Sequence, residues 1–122
     1  MLPEVMQAVI GRCIQPTKSA NLGHFRLNTV RNSAYPAIRP DNSASVSGVV
    51  YQGLRTDEIR KLDEYEGIEY YRVLRKVRLF NATSIYCWVY VYKESYTSHL
   101  LSEEWSLDEF KIKHLASYLQ NL

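Results

Sequence analysis

The sequence predicts an α+β fold: a small, mainly antiparallel (mixed) β-barrel flanked by short helices. Three observations predict it. Short helical segments interrupt strands that are joined by tight turns. Ten tyrosines in 122 residues, several alternating with aliphatic residues in the second half, are typical of strands with one buried face. Closing such a sheet into a barrel would also remove its exposed edges. A chain of this length, with 46% hydrophobic residues, is expected to form one domain over residues 1–122.

The first half of the chain predicts one helix, one strand and two extended segments. Pro3 to Ile10 is typical of a short helix, with a proline near its first turn and a glycine directly after it. Gly23 to Arg31 alternates weakly, which predicts a strand. The turn residues Pro40 to Ser43 separate an extended segment, Tyr35–Ile38, from a β-rich run over Val46–Leu54.

The second half predicts a helix, a hairpin and a final helix. Thr56 can cap a helix whose first turn is acidic and which a glycine ends. Tyr70 to Phe80 and Ser84 to Tyr92 alternate clearly on either side of a short turn, which predicts a β-hairpin. A polar surface loop is expected over Lys93–Trp105. Ser106 to Glu109 forms a capping box that opens the last helix.

Composition and charge argue against several function classes. Fifteen Lys and Arg are spread along the chain and the net charge is only +2, so no basic stripe indicates nucleic acid. No apolar run has the length of a membrane span, and no signal segment opens the chain. Cys13 and Cys87 are expected to be reduced thiols rather than a disulfide. We therefore expect a cytoplasmic domain with neither a nucleic-acid nor a membrane partner.

The sequence gives little support for metal or covalent catalysis. His24, His99 and His114 share no i,i+4 spacing, and no cysteine and histidine stand at zinc-finger spacing. A G-x-S-x-G nucleophile motif and a glycine-rich phosphate motif are both absent from the sequence. No metal is expected.

The most informative segment is Leu62-Asp63-Glu64-Tyr65-Glu66-Gly67, which Tyr70-Tyr71-Arg72 follows closely. It places several acids at the end of a helix, just before a strand that opens with aromatic and basic residues. One interpretation is a set of solvated surface charges. The other is that Glu66 is a proton-transfer group in a partly dry pocket, since negative charge at a helix C-terminus opposes the helix dipole and raises the pKa of a carboxyl. The charge pattern alone leaves both interpretations open.

Three segments in this order resemble the γ-glutamylcyclotransferase-like family, whose members include γ-glutamylamine cyclotransferases and plant avirulence-induced-gene-like proteins. They are Tyr35-Pro36-Ala37-Ile38, Val46 to Tyr51, and the pattern L-D-x-(aromatic)-E-(small) at Leu62–Gly67 followed by Y-x-R at Tyr70–Arg72. The resemblance covers roughly residues 3–122 and implies a small β-barrel flanked by helices.

The resemblance also implies roles for individual residues. Glu66 matches the catalytic glutamate of the family. Tyr70 and Tyr35 would bind the substrate, and Asp63 and Arg72 would support the site structurally.

The implied reaction is an intramolecular acyl transfer that needs no cofactor. The α-amine of a small γ-glutamyl substrate attacks its own γ-carbonyl and releases 5-oxoproline and an amine, while the glutamate takes up a proton and returns it. Backbone N–H groups would stabilise the oxyanion. The alternative is a non-catalytic member that binds a small ligand or a protein partner, or that forms a homo-oligomer through an exposed sheet edge.

One feature of the resembled family is missing. Its members usually begin with a strand that ends in a Tyr-Gly-(Thr/Ser)-Leu-type loop, and this sequence contains no Tyr-Gly pair. A start codon assigned too late, a truncated chain and a natural loss of the loop are three open explanations. We expect the domain to lack that first strand and the barrel to have a gap in its place.

Overall fold

The computed structural model describes residues 1–103 and 105–122 of the chain. These residues form four β-strands, four α-helices and one 3₁₀ helix. In chain order the elements are α1 (Pro3–Ile10), β1 (Lys18–Thr29), β2 (Pro36–Val50), α2 (Thr56–Glu66), β3 (Tyr70–Leu79), β4 (Ser84–Tyr92), the 3₁₀ helix (Glu94–His99), α3 (Leu107–Lys113) and α4 (Leu115–Gln120).

The strands form one antiparallel sheet in the order β2-β1-β3-β4, and the predicted α+β class is confirmed. The sheet consists of two long hairpins, β1–β2 and β3–β4. Between them, β1 pairs with β3 at only two positions, Ala20 with Leu79 and Asn21 with Arg78. Strands β2 and β4 are the edges, so the sheet is not closed into the predicted barrel. The short central ladder joins the hairpins at one end only, whereas closure requires staggered pairing around the whole sheet.

The predicted turn at Pro40–Ser43 lies inside strand β2 instead of between two strands. The β1–β2 ladder is interrupted there, because residues 41–44 lie opposite His24 alone. Asp41 Oδ1 accepts hydrogen bonds from the backbone N (3.0 Å) and from Oγ (2.8 Å) of Ser43, as in a turn. The turn chemistry therefore produces a bulge, and pairing with β1 resumes on both sides of it.

The helices and the hairpin lie close to their predicted positions, with three differences. The residue that caps α2 is Arg55, and Thr56 is already helical. The single C-terminal helix expected from the sequence is interrupted at His114, whose φ of −127° separates α3 from α4. The loop predicted over residues 93–105 contains the 3₁₀ helix, and its residue 104 lies outside the described residues.

Buried apolar side chains form three clusters. The largest receives residues from all four strands and consists of Leu22, Phe25, Val50, Val77 and Val91. A second cluster joins α1 to α2 and consists of Met6, Ile10 and Leu62. The third consists of Val30, Ala37 and Tyr92, with Tyr70 packed against it. Cys13 and Cys87 are free thiols. Among the helices of the described residues, none has the length and hydropathy to cross a membrane.

A buried carboxylate fixes the first turn of α2. Glu58 is only 2% exposed, and its carboxylate accepts hydrogen bonds from Nε (2.7 Å) and Nη2 (2.9 Å) of Arg12. It also accepts one from the backbone N of Arg55 (2.9 Å), so it satisfies a free N–H group at the start of the helix. The hydrogen bonds from Arg12 and Arg55 lower the pKa of Glu58 to about 2. The segment after α1 is thereby tied to the start of α2.

We expect Glu58→Gln to lower the free energy of unfolding at pH 7. The variant should also lose less of this free energy than the wild type when the pH falls from 4.5 to 2. The pKa of Glu58 falls from an ordinary 4.5 to about 2 on folding, so its contribution is complete above pH 4.5 and is lost as the pH falls toward 2. Urea unfolding at several pH values in this range measures the effect. Glu64→Gln, an exposed change on the same helix, is the control. Equal stability of the two variants at pH 7 would show that the contact with Arg12 does not stabilise α2.

Candidate active site

Glu66 is the last residue of α2, and a tight turn connects it to β3. Gly67 follows with φ 82°, a backbone conformation that favours glycine, and its N–H donates to Asp63 O (3.1 Å). This geometry ends the helix and directs the chain into β3 at Tyr70. A pocket of about 290 Å³ lies at this junction, and both Glu66 and Tyr70 line it.

Four tyrosines surround Glu66 in the pocket: Tyr35, Tyr65, Tyr70 and Tyr118. Tyr35 stacks on Tyr118 with 5.4 Å between ring centroids and 15° between ring planes. The hydroxyls of Tyr65 and Tyr118 are hydrogen-bonded to each other. Burial raises the pKa of Tyr118 to about 12, and burial followed by the charge of Glu66 raises the pKa values of Tyr35 and Tyr70. The phenols of Tyr35, Tyr70 and Tyr118 therefore stay neutral at physiological pH and keep their hydroxyl protons.

The C-terminal residues hold Tyr35 in place. Its ring packs edge-on against Phe110, which is 1% exposed, at 5.6 Å between centroids. It also lies 6.0 Å from the ring of Trp105, whose Nε1 donates to Ala34 O (2.8 Å). The aromatic cluster thus joins α3 and α4 to the segment that precedes β2, which orders one wall of the pocket.

The carboxyl of Glu66 is partly buried in the pocket. Burial is the largest cause of its shifted pKa. It raises the pKa of Glu66 to about 7, and the positive N-terminal ammonium of Met1 offsets part of the increase. The sequence predicts a raised pKa from the helix dipole, whereas in the structure burial beside the tyrosines is the main cause. A carboxyl with a pKa near 7 is present in both protonation states at neutral pH. This suits a group that must take up a proton and then release it.

Asp63, one helical turn before Glu66, anchors the end of α2 to the β3–β4 hairpin. Its Oδ1 accepts hydrogen bonds from Nε of Arg72 (2.9 Å) and from the hydroxyl of Tyr90 (2.5 Å). Burial acts to raise the pKa of Asp63, but the bonds from Tyr90 and Arg72 outweigh it and lower the pKa. The guanidinium of Arg72 also lies 4.4 Å from the ring centroid of Trp88. Asp63 and Arg72 therefore form an ion pair that holds the helix end.

The structure brings Tyr35 and Tyr70 together with Glu66 in one pocket, whereas the sequence places them far apart. Tyr70 contacts both hairpins: its hydroxyl donates to Pro36 O (3.3 Å), and its ring packs edge-on against Tyr92 at 5.0 Å. Its position therefore depends on the packing between β2, β3 and β4. The substrate-binding roles of the two tyrosines stay predictions.

Three charged or titratable residues to which the sequence analysis gave no role also line the pocket: Arg31, Glu69 and His99. Glu69 Oε2 accepts a hydrogen bond from the hydroxyl of Tyr92 (2.6 Å), and its Oε1 lies 4.0 Å from Nδ1 of His99. His99 reaches the pocket because Leu100, directly after the 3₁₀ helix, forms an antiparallel bridge with Val30, the residue that follows β1. This long-range pairing has no local signal in the sequence.

Comparison with known proteins identifies relatives over nearly the whole chain. The family model described as "Gamma-glutamyl cyclotransferase, AIG2-like" matches residues 1–107. AIG2-like protein D of Arabidopsis thaliana is 32% identical over 122 residues, which cover 98% of this chain and 79% of the relative.

Solved structures are also similar to this chain. A solution structure of an Arabidopsis thaliana protein has a TM-score of 0.72 and 27% identity, with 98% of this chain and 80% of that chain covered. A structure named "Gamma-glutamyl cyclotransferase" has a TM-score of 0.66 and 16% identity, with 98% of this chain and 79% of that chain covered. At this level of identity the similarity shows only that the two proteins share a fold.

We expect Glu66→Gln to stabilise the folded protein above pH 7. The folded pKa of about 7 exceeds the ordinary 4.5, so the folded state binds this proton more tightly and stability falls as the pH rises from 4.5 to 7. A neutral glutamine removes that loss, which amounts to at most about 3 kcal/mol at pH 8. Urea unfolding of both proteins at pH 4 and pH 8, with Glu64→Gln as control, measures it. If the stability difference from wild type is the same at both pH values, the Glu66 carboxyl is not buried as described.

Proposed function

Because the chain belongs to the γ-glutamyl cyclotransferase, AIG2-like family, we propose that it cyclises a γ-glutamyl amine or dipeptide to 5-oxoproline, with Glu66 as general base and general acid. The observation that carries this proposal is the carboxyl of Glu66, which has a pKa of about 7 and lies in a pocket lined by neutral tyrosines. A carboxyl exposed on the surface would have a lower pKa and would be a poor proton donor at neutral pH.

In the proposed reaction one carboxyl serves both proton transfers. The carboxylate of Glu66 takes a proton from the α-ammonium of the substrate, and the resulting amine attacks the γ-carbonyl carbon. A new C–N bond closes the ring, and the C–N bond to the departing amine breaks as Glu66 returns the proton to that nitrogen. The ring nitrogen also loses a second proton, which Glu66 passes to the same departing nitrogen, so the amine leaves as an ammonium. The products are 5-oxoproline and the amine, and Glu66 is again a carboxylate. The reaction therefore balances without a cofactor or co-reactant.

The charges of the pocket suit a γ-glutamyl group. The α-ammonium would lie near Glu66 and Glu69, which provide negative charge on one side of the pocket. Arg31 provides positive charge for the α-carboxylate, and its guanidinium is already oriented by a bond from Nη2 to Ser98 O (3.3 Å).

Tyr35 and Tyr70 supply the walls of the proposed substrate site. Their rings would enclose the aliphatic part of the glutamyl group and favour the bent conformer from which a five-membered ring closes. Packing against Phe110 and Tyr92 fixes both rings before the substrate enters. Substrate binding therefore loses little conformational entropy from these two side chains.

We expect wild-type protein to release 5-oxoproline from at least one member of a panel of γ-glutamyl amines and dipeptides. Glu66→Gln should lower kcat/KM by about 10²- to 10⁴-fold, since it removes the proton-transfer group, whereas Glu64→Gln should retain the activity. In the wild type, kcat/KM should rise with pH through about 7 as Glu66 ionises.

Equal background rates for folded wild type and Glu66→Gln would rule out a catalytic Glu66. Saturable binding of a γ-glutamyl ligand by both proteins without turnover would then support the non-catalytic alternative. Binding can be followed by the thermal midpoint, which rises with the concentration of any ligand that prefers the folded state.

A further inference from the structure

A second cavity, of about 330 Å³, shares none of its lining residues with the candidate active site. One wall comes from the β1–β2 hairpin and carries Arg26, Asn28 and Arg39. The other wall is the segment 97–102, which contributes Thr97, Leu100, Leu101 and Ser102. The cavity thus has two arginines on one wall and two leucines among the residues of the facing wall.

Arg26 and Arg39 lie directly opposite each other in the β1–β2 ladder. Like charges at opposed positions of an antiparallel pair are destabilising unless something neutralises them. Within residues 1–103 and 105–122, neither arginine forms an ion pair within 4.0 Å. The nearby Asp41 interacts with both charges only at longer range, and its Oδ1 accepts hydrogen bonds from Ser43 instead.

A buried amide holds the head group of Arg39 at the cavity wall. Asn28 is 1% exposed, and its Oδ1 accepts a hydrogen bond from Nε of Arg39 (3.1 Å). Its Nδ2 donates to Leu101 O (2.9 Å), which ties the opposite wall to the same side chain. Arg26 is held more loosely, by a bond from Nη2 to Ser102 O (3.3 Å).

The hydrogen bonds of the described residues use one nitrogen of each guanidinium, Nη2 of Arg26 and Nε of Arg39. The remaining N–H groups have no hydrogen-bond partner among the described residues and can donate to an acceptor that enters the cavity. A planar guanidinium binds carboxylate or phosphate oxygens through parallel hydrogen bonds, and two of them together match an anion with several oxygens.

We propose that this cavity binds a small organic anion, with its phosphate or carboxylate group between Arg26 and Arg39 and its organic part against Leu100 and Leu101. The anion neutralises the opposed charges, and its oxygens accept hydrogen bonds from the remaining N–H groups of the two guanidiniums. The site is independent of the proposed function, because its residues take no part in the chemistry assigned to Glu66.

Titrations with inorganic phosphate and with succinate, at constant ionic strength, test the proposal on the full chain. The thermal midpoint and the NMR signals of the arginine Nε–Hε groups report binding. Arg26→Gln is the test variant, because its described hydrogen bond, to Ser102 O, is exposed at the surface. Arg60→Gln, an exposed change on α2, is the matched control.

We expect saturable binding of phosphate, succinate or both in the wild type and in Arg60→Gln, and binding weaker by about tenfold or more in Arg26→Gln. Without anion, Arg26→Gln should be at least as stable as the control, because it relieves the opposed charges. A response to phosphate alone identifies a phosphate ligand, and a response to succinate alone identifies a carboxylate.

The comparison between the two variants also distinguishes specific anion binding from a general effect of salt on stability. Phosphate stabilises most folded proteins by exclusion from their surface, and this effect is equal in both variants. Equal responses of Arg26→Gln and Arg60→Gln, or no saturable response to either anion, would overturn the proposal.

Discussion

Helix α2 is fixed at both ends by carboxylates that accept hydrogen bonds from arginines, and the candidate active site depends on this arrangement. Glu58 binds Arg12 at the first turn, and Asp63 binds Arg72 near the last turn. The first contact ties the helix to the segment after α1, and the second ties it to the β3–β4 hairpin. A side chain at the final residue of a helix held in this way has a defined position, which a proton-transfer group requires. Glu66 occupies that residue.

Three of the five carboxyls on this helix, those of Glu58, Asp63 and Glu66, have shifted pKa values with different causes. Hydrogen bonds lower the pKa of Glu58 to about 2 and also lower the pKa of Asp63, whereas burial raises the pKa of Glu66 to about 7. The first two accept hydrogen bonds from arginines, and Glu66 accepts none from the described residues. Environments that separate the pKa values of neighbouring carboxyls also separate their roles. Glu58 and Asp63 stay ionised and stabilise the structure, while Glu66 can exchange a proton near neutral pH.

The sequence predicted the features that local patterns determine. Helix α1 and strand β4 have the predicted bounds, and α2 ends at Glu66 as predicted. Each of these features depends on residues that are neighbours along the chain. Features that depend on distant contacts were missed. His99 enters the pocket through a bridge between the end of β1 and a segment far along the chain, and no periodicity indicates such a pairing. The sequence also did not predict how open the sheet is, because alternation within strands does not determine how far β1 pairs with β3. The apolar spacing of the last segment predicted one continuous helix. In the structure His114 divides it into α3 and α4.

The proposed role of Glu66 requires a partly buried carboxyl that titrates near neutral pH. An NMR titration of the side-chain carboxyl carbons in ¹³C-labelled protein tests it most directly, with the Glu66 signal assigned from its absence in Glu66→Gln. The structure predicts a midpoint of about 7 for this signal. A midpoint below about 5, in the range of an ordinary exposed glutamate, would contradict the account.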